Sequence, residues 1–206
     1  AFVEMGKRLD TLTFDFAIRE AKTLEVISDV GSMKSEIGIL YKSAFNGKII
    51  DRMLAENGLE FFPLIDCRAY VYLWKNHPLA HESSLSLEQL GEYPCLSFEQ
   101  GDGAASYFAE EILGDREYPR VIRSSDRATQ LNLMVGLNGY TLCSGITCDE
   151  LNGEEYTTIP FREDEENRNS VMEIGYICKK YNPLSDIAEV YVEEVKKYLD
   201  KVKTEG

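Results

Sequence analysis

Histidine is scarce in this chain: His77 and His81 are the only two in 206 residues. They stand at i and i+4, but Pro78 follows the first and argues against a shared helical face. No H-E-x-x-H motif and no spaced Cys/His cluster occurs, so a metal centre is not expected. Basic residues are also in short supply, with 22 Lys and Arg against 36 Asp and Glu and a formal net charge of −14. DNA carries about one negative charge per 1.7 Å of axis, and proteins grip it with Lys and Arg. This surface therefore repels nucleic acid, and anionic membranes for the same reason. No apolar run approaches the roughly 20 residues needed to span a bilayer. No basic segment followed by an apolar stretch opens the chain, so no secretory leader is visible and a cytoplasmic location is expected.

The catalytic signatures are missing as well. There is no G-x-S-x-G and no P-loop. The paired acids Glu110-Glu111, Glu154-Glu155 and Glu193-Glu194 lie in charged runs, and neighbours on a helix do not face each other. No catalytic residue and no cofactor are expected. The five cysteines, Cys67, Cys95, Cys143, Cys148 and Cys178, are odd in number. Three sit in apolar, strand-like runs, where free cysteine behaves as a small buried hydrophobe. They read as reduced core thiols. Cys143 and Cys148 are not spaced as C-x-x-C, so a redox pair is the weaker reading.

What is present is an ordinary globular composition, 44% hydrophobic and 28% charged, long enough for one large domain or two small lobes. Residues 12–18 alternate apolar and polar, as a strand does. Thr23 is placed to cap a short helix over residues 23–30. A buried strand follows at residues 37–41, then a helix over residues 46–57 with Ile49, Ile50, Met53 and Leu54 inward and Gly58 as its stop. Residues 59–74 hold two strand-like pieces around Asp66-Cys67-Arg68. Ser86 with Gln89 fits a capping box. Strands are expected at residues 95–98, 120–123, 140–144, 156–161 and 171–178. Helices are expected at residues 104–113, closed by Gly114, and from Asp126 to about Asn138, with Gly139 as stop. A polar loop covers residues 163–169. An apolar stripe from Leu184 through Val202 marks a last helix. Alternating strands and helices argue for βαβ units and mainly parallel sheets.

The order of several motifs adds to this. Ser35-Glu36-Ile37-Gly38-Ile39-Leu40 is followed by His77-Pro78-Leu79-Ala80 with Ser86-Leu87-Glu88-Gln89-Leu90, then Ser124-Ser125-Asp126 and Val135-Gly136-Leu137-Asn138-Gly139. This ordered set resembles the effector-binding domain of LysR-type transcriptional regulators over about residues 15–200. The resemblance implies a two-lobed α/β fold like the type-2 periplasmic binding proteins, with mostly parallel sheets and two hinge crossings. The crossings fall near residues 67–72 and 160–164. Lobe I is expected at residues 1–69 and 163–206, and lobe II at residues 70–162. Ala1 to Gly6 looks like the tail of a helix that the family places ahead of the first strand. The winged helix-turn-helix of such regulators lies outside this sequence.

Small-molecule sites favour the carboxyl ends of parallel strands and helix N-termini, which present unpaired N–H groups. Thr23 carries over from the family as an effector contact. Ser124 and Ser125 stand at the start of a second helix, where Asp126 reads as an N-cap. Ser97, Glu99 and Gln100 follow one strand, Tyr41 and Ser43 another, and Ser144 and Gly145 a third. Arg19 reads as a surface ion-pair partner, or as a partner for an acidic effector. The expected function is small-molecule sensing by a homodimer or tetramer, controlling DNA binding through the separate domain, with no chemistry performed. Two other readings compete: a stand-alone solute-binding protein of the same fold, and an enzyme on the same scaffold with converging acid and base groups.

Overall fold

The computed structural model describes residues 1–9, 15–99, 108, 118–147, 154–162 and 171–205. The chain divides into two compact units. Unit 1 comprises Ala1–Tyr41, Ile50–Ile65 and Ile174–Gly206; unit 2 comprises Lys42–Ile49 and Asp66–Glu173. The expected helix over residues 104–113 and the loop over residues 163–169 lie outside the described residues, as do Gln100, Gly114 and Cys148. Of the expected first strand, residues 12–14 also lie outside, and residues 15–18 are not in a strand.

Unit 1 is built on a sheet with strand order β1-β8-β2, where β1 is Gly38–Lys42, β2 is Leu59–Arg68 and β8 is Val171–Lys179. Its helices are α1 (Phe2–Arg8), α2 (Thr23–Gly31), α3 (Gly47–Glu56), which it shares with unit 2, and α6 (Asp186–Glu205). Each helix buries the residues its period predicts: Ile27 and Val30 from α2, Ile50 and Leu54 from α3, Ala188, Val192 and Leu199 from α6. Spacings of three, four and seven place these on one face. Tyr176, Cys178 and Val192 form one cluster, with Phe62 and Leu64 packed on it, and the Phe62 and Tyr176 rings stack at 4.9 Å. α1 lies along α6. Phe2 stacks on Tyr191 at 4.6 Å, and the Arg8 guanidinium donates to Glu193 and Glu194 at 3.0 and 2.7 Å. Glu194 also accepts from Lys197 at 2.8 Å, so this buried carboxylate is paired on two sides.

Unit 2 holds β3 (Tyr70–Trp74), α4 (Leu87–Leu90), β4 (Cys95–Phe98), β5 (Val121–Ser124), α5 (Arg127–Gly136), β6 (Thr141–Cys143) and β7 (Tyr156–Pro160). β4 pairs with β5 in parallel, as expected. β3 does not follow that expectation: it runs antiparallel to β6 on one side and to β7 on the other, in the order β6-β3-β7. The alternation in β3, with Val71 and Leu73 fully buried, identifies a strand. It says nothing about the direction of its neighbours, because the period of two is the same in both kinds of ladder.

The His77-Pro78-Leu79-Ala80 stretch is a structural joint. His77 is buried; its Nδ1 accepts from the Leu79 N–H at 3.0 Å and its Nε2–H donates to the Asn138 carbonyl at 2.9 Å. Those two bonds require the neutral ring, and burial lowers the His77 pKa below its ordinary value. Asn138 sits in the left-handed region at φ 51°, and its Oδ1 accepts from the Trp74 indole N–H at 2.8 Å. Asn138, rather than the expected Gly139, makes the turn beyond α5. Gly139 is needed for another reason: a Cβ there would lie 2.8 Å from a Leu96 methyl.

Ser86 and Gln89 form the expected capping box of α4, with the Gln89 N–H donating to Ser86 Oγ and the Ser86 N–H to Gln89 Oε1. Cys67, Cys95 and Cys178 are buried and Cys143 is half-buried, all as free thiols. No helix among the described residues is long and apolar enough to cross a membrane.

Candidate functional site

In unit 2 the parallel pairing of β4 and β5 puts Ser97 opposite Arg123 and Phe98 opposite Ser124. The Glu99 N–H then donates to the Ser124 carbonyl at 3.0 Å. Ser97, Glu99, Ser124 and Ser125 therefore leave the sheet side by side. β6 belongs to the same end. Cys95 and Tyr140 form a parallel bridge, and the Leu96 N–H donates to the Tyr140 carbonyl at 2.7 Å. Strands β4, β5 and β6 thus run the same way, and Ser144 and Gly145 follow the carboxyl end of the third.

α5 begins directly after Ser125. Asp126 is its N-cap and accepts from the Thr129 N–H at 2.8 Å. That backbone bond lowers the Asp126 pKa from its usual value, so the carboxylate is charged. Glu99 and Ser125 are exposed, and the Arg127 guanidinium lies over the Phe98 ring at 5.4 Å. Ser124 and Gln130 are buried, and Ser124 Oγ and Gln130 Nε2 find no hydrogen-bond partner among the described residues. Gln130 was not anticipated. Its signal was its place on the α5 face that also carries buried Met134, four residues on.

The β6 exit is shaped by Gly145, at φ 73°. A Cβ there would stand 2.5 Å from Tyr70 Cδ2, so the backbone lies against the Tyr70 ring and only glycine fits both constraints. Ser144 Oγ accepts from the Ile146 N–H at 3.3 Å. Burial pushes the neighbouring Cys143 thiol up to about 11, which keeps it protonated and unreactive.

In unit 1, Thr23 is the first residue of α2, not its cap; Lys22 holds the N-cap position without a capping side chain. The start falls one residue earlier than the cap expectation, within the spread of helix boundaries, and the Glu25 carboxylate accepts the Lys22 N–H there at 3.4 Å. Tyr41 lies within β1, half-buried. Ser43 belongs to unit 2 and is committed to its own turn. Its N–H donates to Asn46 Oδ1 at 2.7 Å, its hydroxyl lies 3.2 Å from the same oxygen, and it accepts from the Phe45 N–H at 3.3 Å. Asn46, buried at the head of α3, is a structural polar residue that was not anticipated. Arg19 is exposed and has no ion-pair partner among the described residues.

The shared end of β4, β5 and β6 in unit 2 offers hydroxyls, backbone N–H groups and two exposed acids, Glu99 and Asp126. Besides Cys143, burial raises the pKa of the Tyr140, Tyr176 and Tyr191 phenols and of the Cys178 thiol, which stay neutral. No group of three potential metal ligands occurs among the described residues.

The family model described as the LysR substrate binding domain matches residues 14–200 of the chain. Among solved structures, the chain is similar to the oxidized form of OxyR, at 17% identity over 96% of this chain and 87% of that one, with a TM-score of 0.59. It is similar to HinK, a LysR family transcriptional regulator from Pseudomonas aeruginosa, at 16% identity over 98% of this chain and 65% of that one, TM-score 0.63. It is also similar to the effector binding domain of QuiR in complex with shikimate, at 16% identity over 97% and 88% of the two chains, TM-score 0.58. At these identities the likeness is one of fold. No curated protein matches the sequence.

Proposed function

This chain belongs to the LysR substrate binding domain family, and from that premise we propose that it senses a small carboxylate for a transcription regulator whose DNA-binding part lies elsewhere. The observation that carries the reading is the contrast between two helix starts. The residue ahead of α2, Lys22, has no side-chain acceptor, so the positive end of that helix suits an anion. α5 is already capped by the Asp126 carboxylate. The anionic end of the effector goes to α2, at Thr23 and Tyr41. Neutral hydroxyl or carbonyl groups go to Ser97, Ser124, Ser125, Ser144 and the Gly145 backbone, where Glu99 and Asp126 would repel a second carboxylate. Glu99 and Gln100 complete the proposed contacts, and Ser43 supports them only by holding its turn with Asn46.

Shikimate in QuiR is a ligand of this chemistry. Binding favours one arrangement of the lobes, residues 1–69 with 163–206 and residues 70–162, through its differential affinity. A homodimer or tetramer passes that change to the DNA-binding domains. The net charge of −14 keeps this segment itself off DNA. The thiols stay out of the mechanism, and the chain performs no chemistry.

A thermal-shift screen of small carboxylates tests this. A true effector raises Tm in the parent. Thr23→Ala and Ser125→Ala each weaken it roughly fivefold to tenfold, the worth of one hydrogen bond. If an effector is found and both variants bind it normally, the assignment is wrong.

A further inference from the structure

We propose that unit 1 carries a second small-molecule site, at the end of α2 remote from Thr23, that takes a compact uncharged molecule with an apolar body and one amide or hydroxyl group. A cavity of about 210 Å³ opens there. The nine residues of α2 rise about 13 Å, so this cavity, which begins at Val30 and Met33, is a helix length away from the effector contact proposed at Thr23. Its size is below the roughly 300 Å³ at which drug-sized pockets begin, and it suits a molecule of a few heavy atoms.

The lining sets the chemistry. Val30, Cys178 and Leu184 supply an apolar wall, and burial keeps the Cys178 thiol uncharged. Lys179 supplies a cation that is mostly spent. Its ammonium donates to the Gly31 and Asn57 carbonyls at 2.8 Å each, closing the carboxyl ends of α2 and α3. An ammonium has three protons, and the third has no acceptor among the described residues. Glu36 supplies an anion that is spent too, on the Ser185 N–H and, at 2.8 Å, the Ser185 hydroxyl. The Ser35 hydroxyl and Asn182 amide also line the cavity, and neither side chain makes a hydrogen bond among the described residues.

Three uncommitted polar groups beside an apolar wall require an apolar ligand with a polar end. An anion would meet Glu36 and the carboxyl ends of two helices, and a cation would meet Lys179. A molecule without charge avoids both costs. The rim is unusual as well. Met33 holds φ 61°, a conformation that costs non-glycine residues energy and concentrates at ligand clamps. It leaves its side chain 63% exposed, and methionine is flexible enough to fold over an occupant.

The test is an NMR titration of the whole chain, labelled at methionine methyls and backbone amides, with three probes that share one isobutyl body: isovaleramide, isovalerate and isoamylamine. Isovaleramide is expected to move the Met33 methyl and the Ser35, Lys179 and Asn182 amides. The anion and the cation are expected to bind roughly tenfold more weakly or worse. Leu184→Trp, which fills the cavity, abolishes these shifts, and Asn182→Ala, at an exposed position that leaves the fold intact, weakens them. The proposal falls if isovaleramide moves none of these signals, if the three probes bind alike, or if Asn182→Ala changes nothing. It falls equally if the Met33 signal moves with protein concentration alone, since a second copy then fills the cavity. None of these outcomes bears on the Thr23 and Ser125 test, which reads the other end of α2.

Discussion

α2 and α5 begin in opposite ways. α5 carries its own anion, Asp126, on the Thr129 N–H at 2.8 Å. α2 starts behind Lys22, which offers no side-chain acceptor. A capping side chain is worth about 1 kcal/mol, and Lys22 supplies none to α2. The two units differ in the same spirit. Unit 1 relies on close apolar packing, with charged groups such as Arg8, Glu194 and Lys179 closing helix ends and edges. Unit 2 relies on a polar joint in which half-buried Trp74 and Asn138 meet buried His77.

The sharpest way to break unit 1 is at its tightest packing. A Cβ on Gly175 would lie 2.4 Å from Phe61 Cζ and 2.5 Å from the Phe62 carbonyl oxygen. Gly175→Ala is expected to cost about 3 kcal/mol or more, read as lost amide-exchange protection in β8 and β2. If protection there is unchanged, the packing account of unit 1 is mistaken.

Unit 2 is expected to break at its joint. His77→Ala leaves the Asn138 carbonyl and the Leu79 N–H without their partners, at a cost of about 2–4 kcal/mol. Exchange should rise first in β3 and at the end of α5. The intact joint is also sensitive to pH. Because the folded pKa of His77 is lowered by burial, the unfolded chain binds a proton that the folded chain refuses. The stability from neutral His77 is therefore fully present above the ordinary histidine pKa near 6.5 and is lost as pH falls through the lower folded value. Denaturation midpoints of parent and His77→Gln, followed from neutral into mild acid, should converge as pH drops.

Asp126 gives a smaller effect in a more acidic window. Its folded pKa is lowered, so its stabilisation is present above the ordinary carboxylate pKa near 3.8 and fades as pH falls through the folded value. Asp126→Ala should lower Tm by a few degrees at neutral pH and by nothing in strong acid. A drop that persists in strong acid would remove the cap from the account.

The smallest expected effect bears most directly on the comparison. Lys22→Asp gives α2 the cap that α5 has. It should gain about 0.5–1 kcal/mol while weakening any carboxylate effector, since the new side chain occupies the N–H groups the ligand would use. A variant that is more stable and still binds such an effector normally would show that the open start of α2 has no part in recognition.

The helices α3, α4 and α5 and the strands β4, β7 and β8 were legible because each depends on local signals. Apolar spacing, the Ser86 and Gln89 pair and the Asp126 cap all act within a few residues. Thr23 was misplaced by one position, since helix ends are the least local part of a helix and Lys22 takes the N-cap position. For the candidate site, the hydroxyls after β4 and β5 could be named in advance. Gln130, Asn46 and the contact of Gly145 with Tyr70 could not, since each depends on what another segment brings.

Composition and motif order by themselves determined that this is an acidic α/β protein of the LysR substrate binding domain family, without metal-ligand spacing or a catalytic signature, because charge, period and caps are properties of the chain. Tertiary structure decided the rest. It set β3 antiparallel between β6 and β7, turned His77 into a neutral buried joint and put Lys22, without an acceptor, ahead of α2 while Asp126 caps α5. The physical reason is range: hydrogen-bond partners and close approaches across tens of residues are set by packing, which no local pattern records.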